Sequence, residues 1–224
     1  MSGHFRLYRD VIKRLCDIVC SAMLLVVLSP LLVVVAICVW VGCGRPILFH
    51  DVRAGRLGRP ITIHKFRTMR DAVDSAGDPL PDTYRLTWLG QVLRRTSLDE
   101  LPQLWNILVG DMSFVGPRPL PVRYIERYTA RQATRLSIRP GLTGLAQING
   151  RNTIDWPNRL ELDARYADAI RSPFAPVYDL GIVANTLVLL VWHAITGRGI
   201  NAPGNFTMPE FSPGREDREV SSID

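Results

Sequence analysis

Histidine is scarce in this chain, at four residues, and so is cysteine, also at four. His4, His50, His64 and His193 are scattered without metal-ligand spacing, and no HExxH places zinc ligands on a helix face. Cys16, Cys20, Cys38 and Cys43 lie in or beside one apolar segment with no paired ligand spacing, so they read as small apolar side chains in a reduced compartment. GxGxxG, P-loop and GxSxG patterns are missing as well. With them go the sequence warrants for dinucleotide binding, P-loop phosphoryl transfer and serine-based hydrolysis. Any chemistry here rests on carboxylates and arginines.

What remains is one domain's worth of chain, 224 residues with 47% apolar side chains, enough for a sizeable core. Lys+Arg of 27 against Asp+Glu of 21 leaves a charge of +6, which points to an anionic partner. No basic stripe interleaved with aromatics is present, so nucleic acid is not that partner. An anionic membrane surface and a phosphorylated substrate account for the charge equally well. No periodic seam predicts an oligomer.

From Ile18 to Val41 no charge occurs over 24 residues, more than the roughly 20 a helix needs to span a bilayer. Ser29-Pro30 interrupts this segment, where proline removes a backbone hydrogen bond and bends a helix. Arg6, Arg9, Lys13 and Arg14 precede it, and Arg45, Arg53, Arg56 and Arg59 follow, so both flanks ask to stay in the cytoplasm. A helix broken at Ser29-Pro30 that enters and leaves by one face satisfies both facts; a kinked span is the alternative.

Further on, residues 46–69 predict two short strands around a Gly-rich turn, with Ile61 and Ile63 alternating towards Lys65 and Arg67. Residues 71–83 read as a surface loop, and apolar spacing predicts helices over 84–95, 101–109 and 160–170. Arg118 lies between Pro117 and Pro119, which stiffen its backbone, and Arg139-Pro140-Gly141 with Gly144 marks another rigid turn. Residues 180–195 are apolar apart from Asn185 and His193 but short for a span, so a membrane-surface or buried helix is expected. The last two dozen residues read as a polar tail.

The stretch RRTSLDELPQLWN, residues 94–106, sets adjacent acids, Asp99 and Glu100, behind two arginines. Ser97 and Glu100 have the spacing of a capping box. A helix begun at Ser97 would, however, place Pro102 where its ring and missing N–H disrupt it. Starting at Asp99 or Glu100 returns Pro102 to the tolerated first turn and puts Asp99 at a helix N-terminus.

Together KRLCD (13–17), the segment broken at Ser29-Pro30, RAGRLGRP, HKFRTM (64–69), RRTSLDELPQLWNILVGDMSFVGPRP (94–119), RPGLTGLAQINGR (139–151) and ELDARYADAI (161–170) resemble the small monotopic polyprenyl-phosphate phosphoglycosyl transferases, the bacterial sugar transferase family. The likeness covers nearly the whole chain. Its compact length and the GRN stretch at 150–152 resemble the branch that initiates N-linked glycan assembly.

That resemblance implies transfer of a sugar-1-phosphate from a UDP-sugar to undecaprenyl phosphate, with UMP leaving and a covalent phosphosugar-aspartate intermediate. It implies that Asp99 is the nucleophile, that Glu100 helps Asp99 hold Mg²⁺ or positions Asp99, and that Lys65, Arg94 and Arg118 contact phosphates. It also implies that the re-entrant form is the right one, and that the enzyme works at the cytoplasmic face of the bacterial inner membrane among anionic lipids. The expected fold is α+β and mainly helical, with a short hairpin and interfacial amphipathic helices. The expected divisions are a membrane helix with basic flank (1–43), a catalytic domain (44–200) and a tail (201–224). A catalytically silent membrane scaffold is the competing reading; it has no need of the acid pair.

Overall fold

In the computed structural model, residues 8–78, 80–150, 153–196 and 210–212 are described. Arg151 and Asn152 of the GRN stretch, and most of the expected tail, lie outside them. The described chain is predominantly helical with two two-stranded sheets, as an α+β fold requires.

Helix α1 (Lys13–Val27), extending a π-helical turn at Tyr8–Ile12, meets α2 (Ser29–Cys43) at a bend of 63°. The local chemistry explains the bend. Pro30 lacks the N–H that would bond the Val26 carbonyl one turn back, and Ser29 Oγ donates to that carbonyl instead, at 2.7 Å. The break expected at Ser29-Pro30 is therefore present, and the serine hydroxyl bonds the carbonyl that proline cannot. Both helices show lipid-like side chains outward, among them Val19, Met23, Val26, Val33, Val34 and Val41.

Strands β1 (Leu48–Ala54) and β2 (Pro60–Phe66) form the expected antiparallel hairpin, with His50 opposite His64 and Phe49 opposite Lys65. Helix α3 (Trp88–Thr96) begins at Thr87, whose side chain caps the Gly90 N–H at 2.9 Å; the helix expected over 84–95 is thus split from a short turn at Asp82–Arg85. Helix α4 is Gln103–Val109. Strands β3 (Ser113–Val115) and β4 (Gly141–Thr143) pair in parallel, a sheet that residues 139–144 suggested only as a rigid turn. Helices α5 (Trp156–Ala169) and α6 (Ala175–Thr196) complete the chain.

The cores follow from these faces. Ile63, Leu104, Ile107 and Met112 pack between hairpin and α4 under Leu24 and Leu25 of α1 and Leu28 at the break. Val35, Val39 and Cys43 of α2 close on Phe66 and Leu93. Arg14 donates to the Ile107 and Leu108 carbonyls at 2.5 and 2.7 Å, tying α1 to the C-terminal end of α4.

The last helix departs from expectation. It starts at Ala175 and runs 22 residues, long and apolar enough to cross a membrane, and only 17% of its most apolar window is buried in the protein. It is therefore neither short nor a buried core helix. Asp179 does not interrupt it, because Lys13 Nζ and Tyr8 OH bond its Oδ2 at 2.8 Å each and Tyr166 OH bonds Oδ1 at 2.5 Å. In the tail, Phe211 is buried against Leu120, Tyr124 and Leu160, so this part of the chain docks on the domain.

Candidate active site

Ser97 does not cap the helix that follows it. Its backbone is left-handed, φ 58°, and closes α3; Leu98–Glu100 then form a 3₁₀ turn, and Pro102 is the N-cap of α4. The capping-box expectation is overturned for the reason Pro102 raised: its ring allows the regular helix to start only after it. Asp99 sits in the 3₁₀ lead-in instead of the first α-helical turn. A left-handed serine two residues before Asp99 is a strained position of the kind found at functional sites.

Three separate elements converge on this turn. Alternation along β2 turns Ile61 and Ile63 into the core and carries Lys65 on the same face, where its Nζ reaches Glu100 Oε1 at 2.8 Å. From the far side, Arg118 donates to the same oxygen at 2.7 Å. Glycines bring it there: a Cβ on Gly141 would lie 2.1 Å from the Gly116 nitrogen, and one on Gly144 2.1 Å from the Gly116 oxygen. The Gly-Pro-Arg-Pro loop can therefore lie directly on the loop that follows Arg139. Arg94 flanks the group without an ion pair to either acid; its Nε donates to Thr68 Oγ1 at 3.1 Å.

Asp99 and Glu100 differ sharply in environment. Burial works to raise the Glu100 pKa, but Arg118 and Lys65 together outweigh it and hold the group well below the usual carboxylate range. Asp99 is 8% exposed and, among the described residues, its carboxylate makes no hydrogen bond or ion pair. Burial first, and the Glu100 charge second, push its pKa up to about 6, against the pull of Lys65, Arg94 and Arg118.

The donor set suits a hard cation. Both cationic side chains use Glu100 Oε1, so Glu100 Oε2 and both Asp99 oxygens remain as acceptors. Among the described residues no cluster of three potential ligands exists. Mg²⁺ fits such a site, since it binds through one or two carboxylates and completes its shell with phosphate oxygens and water.

Two supporting groups were not singled out from the sequence. Arg135, 3% exposed, donates to the Arg118 carbonyl at 2.6 Å and forks onto Asp163 Oδ2 at 2.9 and 3.1 Å, with Tyr128 OH as a third partner. Asn106, 1% exposed, donates to the Thr62 carbonyl at 2.7 Å and accepts from the His64 N–H at 3.2 Å, fixing the strand end that bears Lys65. Asn106 closes the LWN of the motif quoted above, which was a signal; Asp163 lies within ELDARYADAI without being singled out there, and Arg135 stands in a stretch that carried no signal.

Comparison with known proteins decides what kind of molecule this is. Residues 8–193 match the family model described as bacterial sugar transferase. The chain belongs to that family. The resemblance read from its motifs is thereby borne out, and with it the reading as an enzyme, a phosphoglycosyl transferase. This sugar transferase is 43% identical over 202 residues to the uncharacterized sugar transferase EpsL of Bacillus subtilis, covering 90% of this chain and 96% of that one. It is 42% identical to the UDP-glucose:undecaprenyl-phosphate glucose-1-phosphate transferase of Klebsiella pneumoniae, over 70% of this chain but 35% of that protein. To the undecaprenyl-phosphate galactose phosphotransferase of Salmonella typhimurium it is 40% identical, over 69% of this chain and 36% of that protein. It thus spans almost all of one relative and about a third of the other two.

Proposed function

We propose that this sugar transferase moves a hexose-1-phosphate from a UDP-sugar to undecaprenyl phosphate, through a phosphosugar carried on Asp99, as the first step of a glycan assembly. The observation that carries this is the contrast within the acid pair: Glu100 held by two cations, and Asp99 beside it buried, ionisable and without a partner.

An Asp99 oxygen attacks the sugar-bearing phosphorus of the donor, the phosphoanhydride bond breaks, and UMP leaves with the bonding pair. A phosphate oxygen of undecaprenyl phosphate then attacks the same phosphorus. The Asp99 carboxylate departs, yielding the lipid diphosphate sugar. A carboxylate meeting a diphosphate suffers like-charge repulsion, which the Lys65, Arg94 and Arg118 charges reduce where negative charge develops. Mg²⁺ bound by Asp99 and Glu100 would supply further neutralisation of the diphosphate oxygens.

In this reading α1 and α2 form a re-entrant hairpin in the cytoplasmic leaflet, entering and leaving by the face that bears the basic flanks. Trp40, Trp88, Trp105 and Trp192, each at least half exposed, then lie at the interfacial depth that suits indole rings. Anionic lipids neighbour the basic flanks, and the acid pair meets a soluble sugar nucleotide and a lipid phosphate at headgroup level.

The deciding experiment is intact mass of the purified protein with Mg²⁺ and a panel of UDP-sugars, without lipid acceptor. UDP-glucose and UDP-galactose come first, because the Klebsiella and Salmonella relatives are named for glucose and galactose. A gain of one sugar-phosphate, absent in Asp99→Asn, supports the reading. Turnover with lipid but no adduct means direct transfer, and neither adduct nor turnover with any donor returns the chain to a scaffold.

A further inference from the structure

We propose that His50 and His64 form a two-histidine site for a borderline divalent transition-metal ion that takes neighbouring ligands at right angles, such as Ni²⁺ or Cu²⁺. The residues are direct partners in the β1–β2 register. Their Nδ1 atoms face each other at 2.8 Å, with the rings edge-on at 87° and centroids 4.9 Å apart.

Two imidazole nitrogens at this distance share one position between them. Without metal, one must carry a proton and donate while the other accepts; two lone pairs or two protons there repel. A metal ion replaces that proton and uses both lone pairs. Metal–nitrogen bonds of about 2.0–2.1 Å put two ligand nitrogens about 2.9 Å apart at a right angle and about 3.3 Å apart at a tetrahedral one. The observed spacing matches the right angle. Burial first, then His50, lower the His64 pKa against the opposing Asp111, so its ring is neutral and able to ligate at neutral pH.

This site differs in place and chemistry from the acid pair. Strand alternation sends His64 and Lys65 to opposite faces of the hairpin. Imidazole selects borderline metals, and Mg²⁺ selects oxygen. Among the described residues no third histidine, cysteine or carboxylate completes a group of three, so water fills the other positions. An ion here would pin the two strands together one residue from Lys65.

The test is a calorimetric titration of the full, tag-free chain in detergent with Ni²⁺, and it involves no turnover, so it stands whether or not the transferase reading does. One ion should bind, at least about tenfold more weakly in His50→Ala and in His64→Ala. Asp99→Asn should bind it as the unaltered protein does, and affinity should fall as pH drops through the imidazole range. Equal binding by either histidine variant, loss of the ion in Asp99→Asn, or no binding at all overturns the proposal.

Discussion

Glu100 and its neighbour Asp99 stand in opposite electrostatic states although one peptide bond joins them. Lys65 and Arg118 both close on Glu100 Oε1, at 2.8 and 2.7 Å, whereas Asp99 has burial and a neighbouring negative charge. In the proposed reaction the clamp acts twice: it would hold two cations ready for phosphate oxygens, and it fixes an anion that, after burial, makes Asp99 a stronger base than a free aspartate. The two neighbouring carboxylates are thus divided into an ion-paired anchor and a buried group of raised pKa.

The pH dependence of donor cleavage follows. Attack needs ionised Asp99, so in single-turnover measurements the rate of UMP release should fall as pH drops through an apparent pKa of about 6. An unperturbed aspartate, at about 3.9, would give no such loss there. Glu100→Gln removes the like charge, and the limb should move to lower pH even as the rate falls. A limb at the ordinary carboxylate pKa in the unaltered protein contradicts the assignment.

Stability should move against activity at the same residue. A carboxyl group whose folded pKa is raised binds more protons folded than unfolded, so its contribution is present at low pH and is lost as pH rises through the folded value. At neutral pH the ionised Asp99 therefore costs stability. Asp99→Asn should stabilise the fold by on the order of 1 kcal/mol, read as a higher melting temperature, while abolishing UMP release. A lowered melting temperature would mean that attraction to Lys65, Arg94 and Arg118 outweighs burial.

Arg135 and Asp163 offer a separation of folding from catalysis. Their side chains are 2% and 1% exposed, and breaking such a pair by Asp163→Asn should cost about 3–5 kcal/mol. Replacing both, as Arg135→Met with Asp163→Leu, should recover much of the melting temperature, because a packed apolar pair avoids the desolvation cost. It should not recover kcat, since the Arg118 carbonyl still lacks its donor. Full kcat in the double variant would show that Pro117 and Pro119 hold Arg118 unaided.

Legibility in the sequence tracked the range of the physics. The hairpin, the break at Ser29-Pro30 and α5 are local, set by alternation, a missing N–H and helical spacing, and each appears. Lys65, Asp99, Glu100 and Arg118 were named from motifs, but their convergence is tertiary and no spacing encodes it. Pro102 argued against a capping box at Ser97, but the helix start expected at Asp99 or Glu100 came too early, because Leu98–Glu100 form a 3₁₀ turn ahead of the helix. The apolar run starts only at Leu180, so the first turn of α6 was not legible: Asp179 lies inside the helix because Tyr8, Lys13 and Tyr166, which lie elsewhere in the chain, bond it. The pairing of Arg135 with Asp163 was illegible because a buried ion pair joins two segments distant in the chain, and neither shows from its own sequence that it needs the other.

Asn106 should behave as a positioning residue for Lys65. Asn106→Leu keeps the volume but leaves the Thr62 carbonyl and His64 N–H without their partner, a cost of about 1–3 kcal/mol for each group that stays buried. Because the strand end then loosens, KM for the UDP-sugar and kcat should both worsen. Asn106→Asp, which keeps the acceptor, should retain more activity than Asn106→Leu. Equal loss in the two variants would assign the effect to packing.

In the proposed re-entrant arrangement the bend at Ser29-Pro30 is what keeps the two flanks on one side of the membrane. Ala at both positions restores every backbone donor and removes the serine hydroxyl bond to the Val26 carbonyl, so α1 and α2 should merge into one straight helix. Its 24 uncharged residues would then reach roughly 36 Å, longer than a bilayer core of about 30 Å. A straight helix must place Lys13 and Arg45 on opposite sides, against the charge on both flanks. In spheroplasts, a protease-cleavable tag ahead of Met1 should be protected in the unaltered protein and cleaved from outside in the Ala-Ala variant. Activity should fall with it, because Arg14 can no longer reach the Ile107 and Leu108 carbonyls from the far leaflet. Cleavage from outside in the unaltered protein would instead identify a kinked span, and the shared face would then belong to the catalytic domain alone.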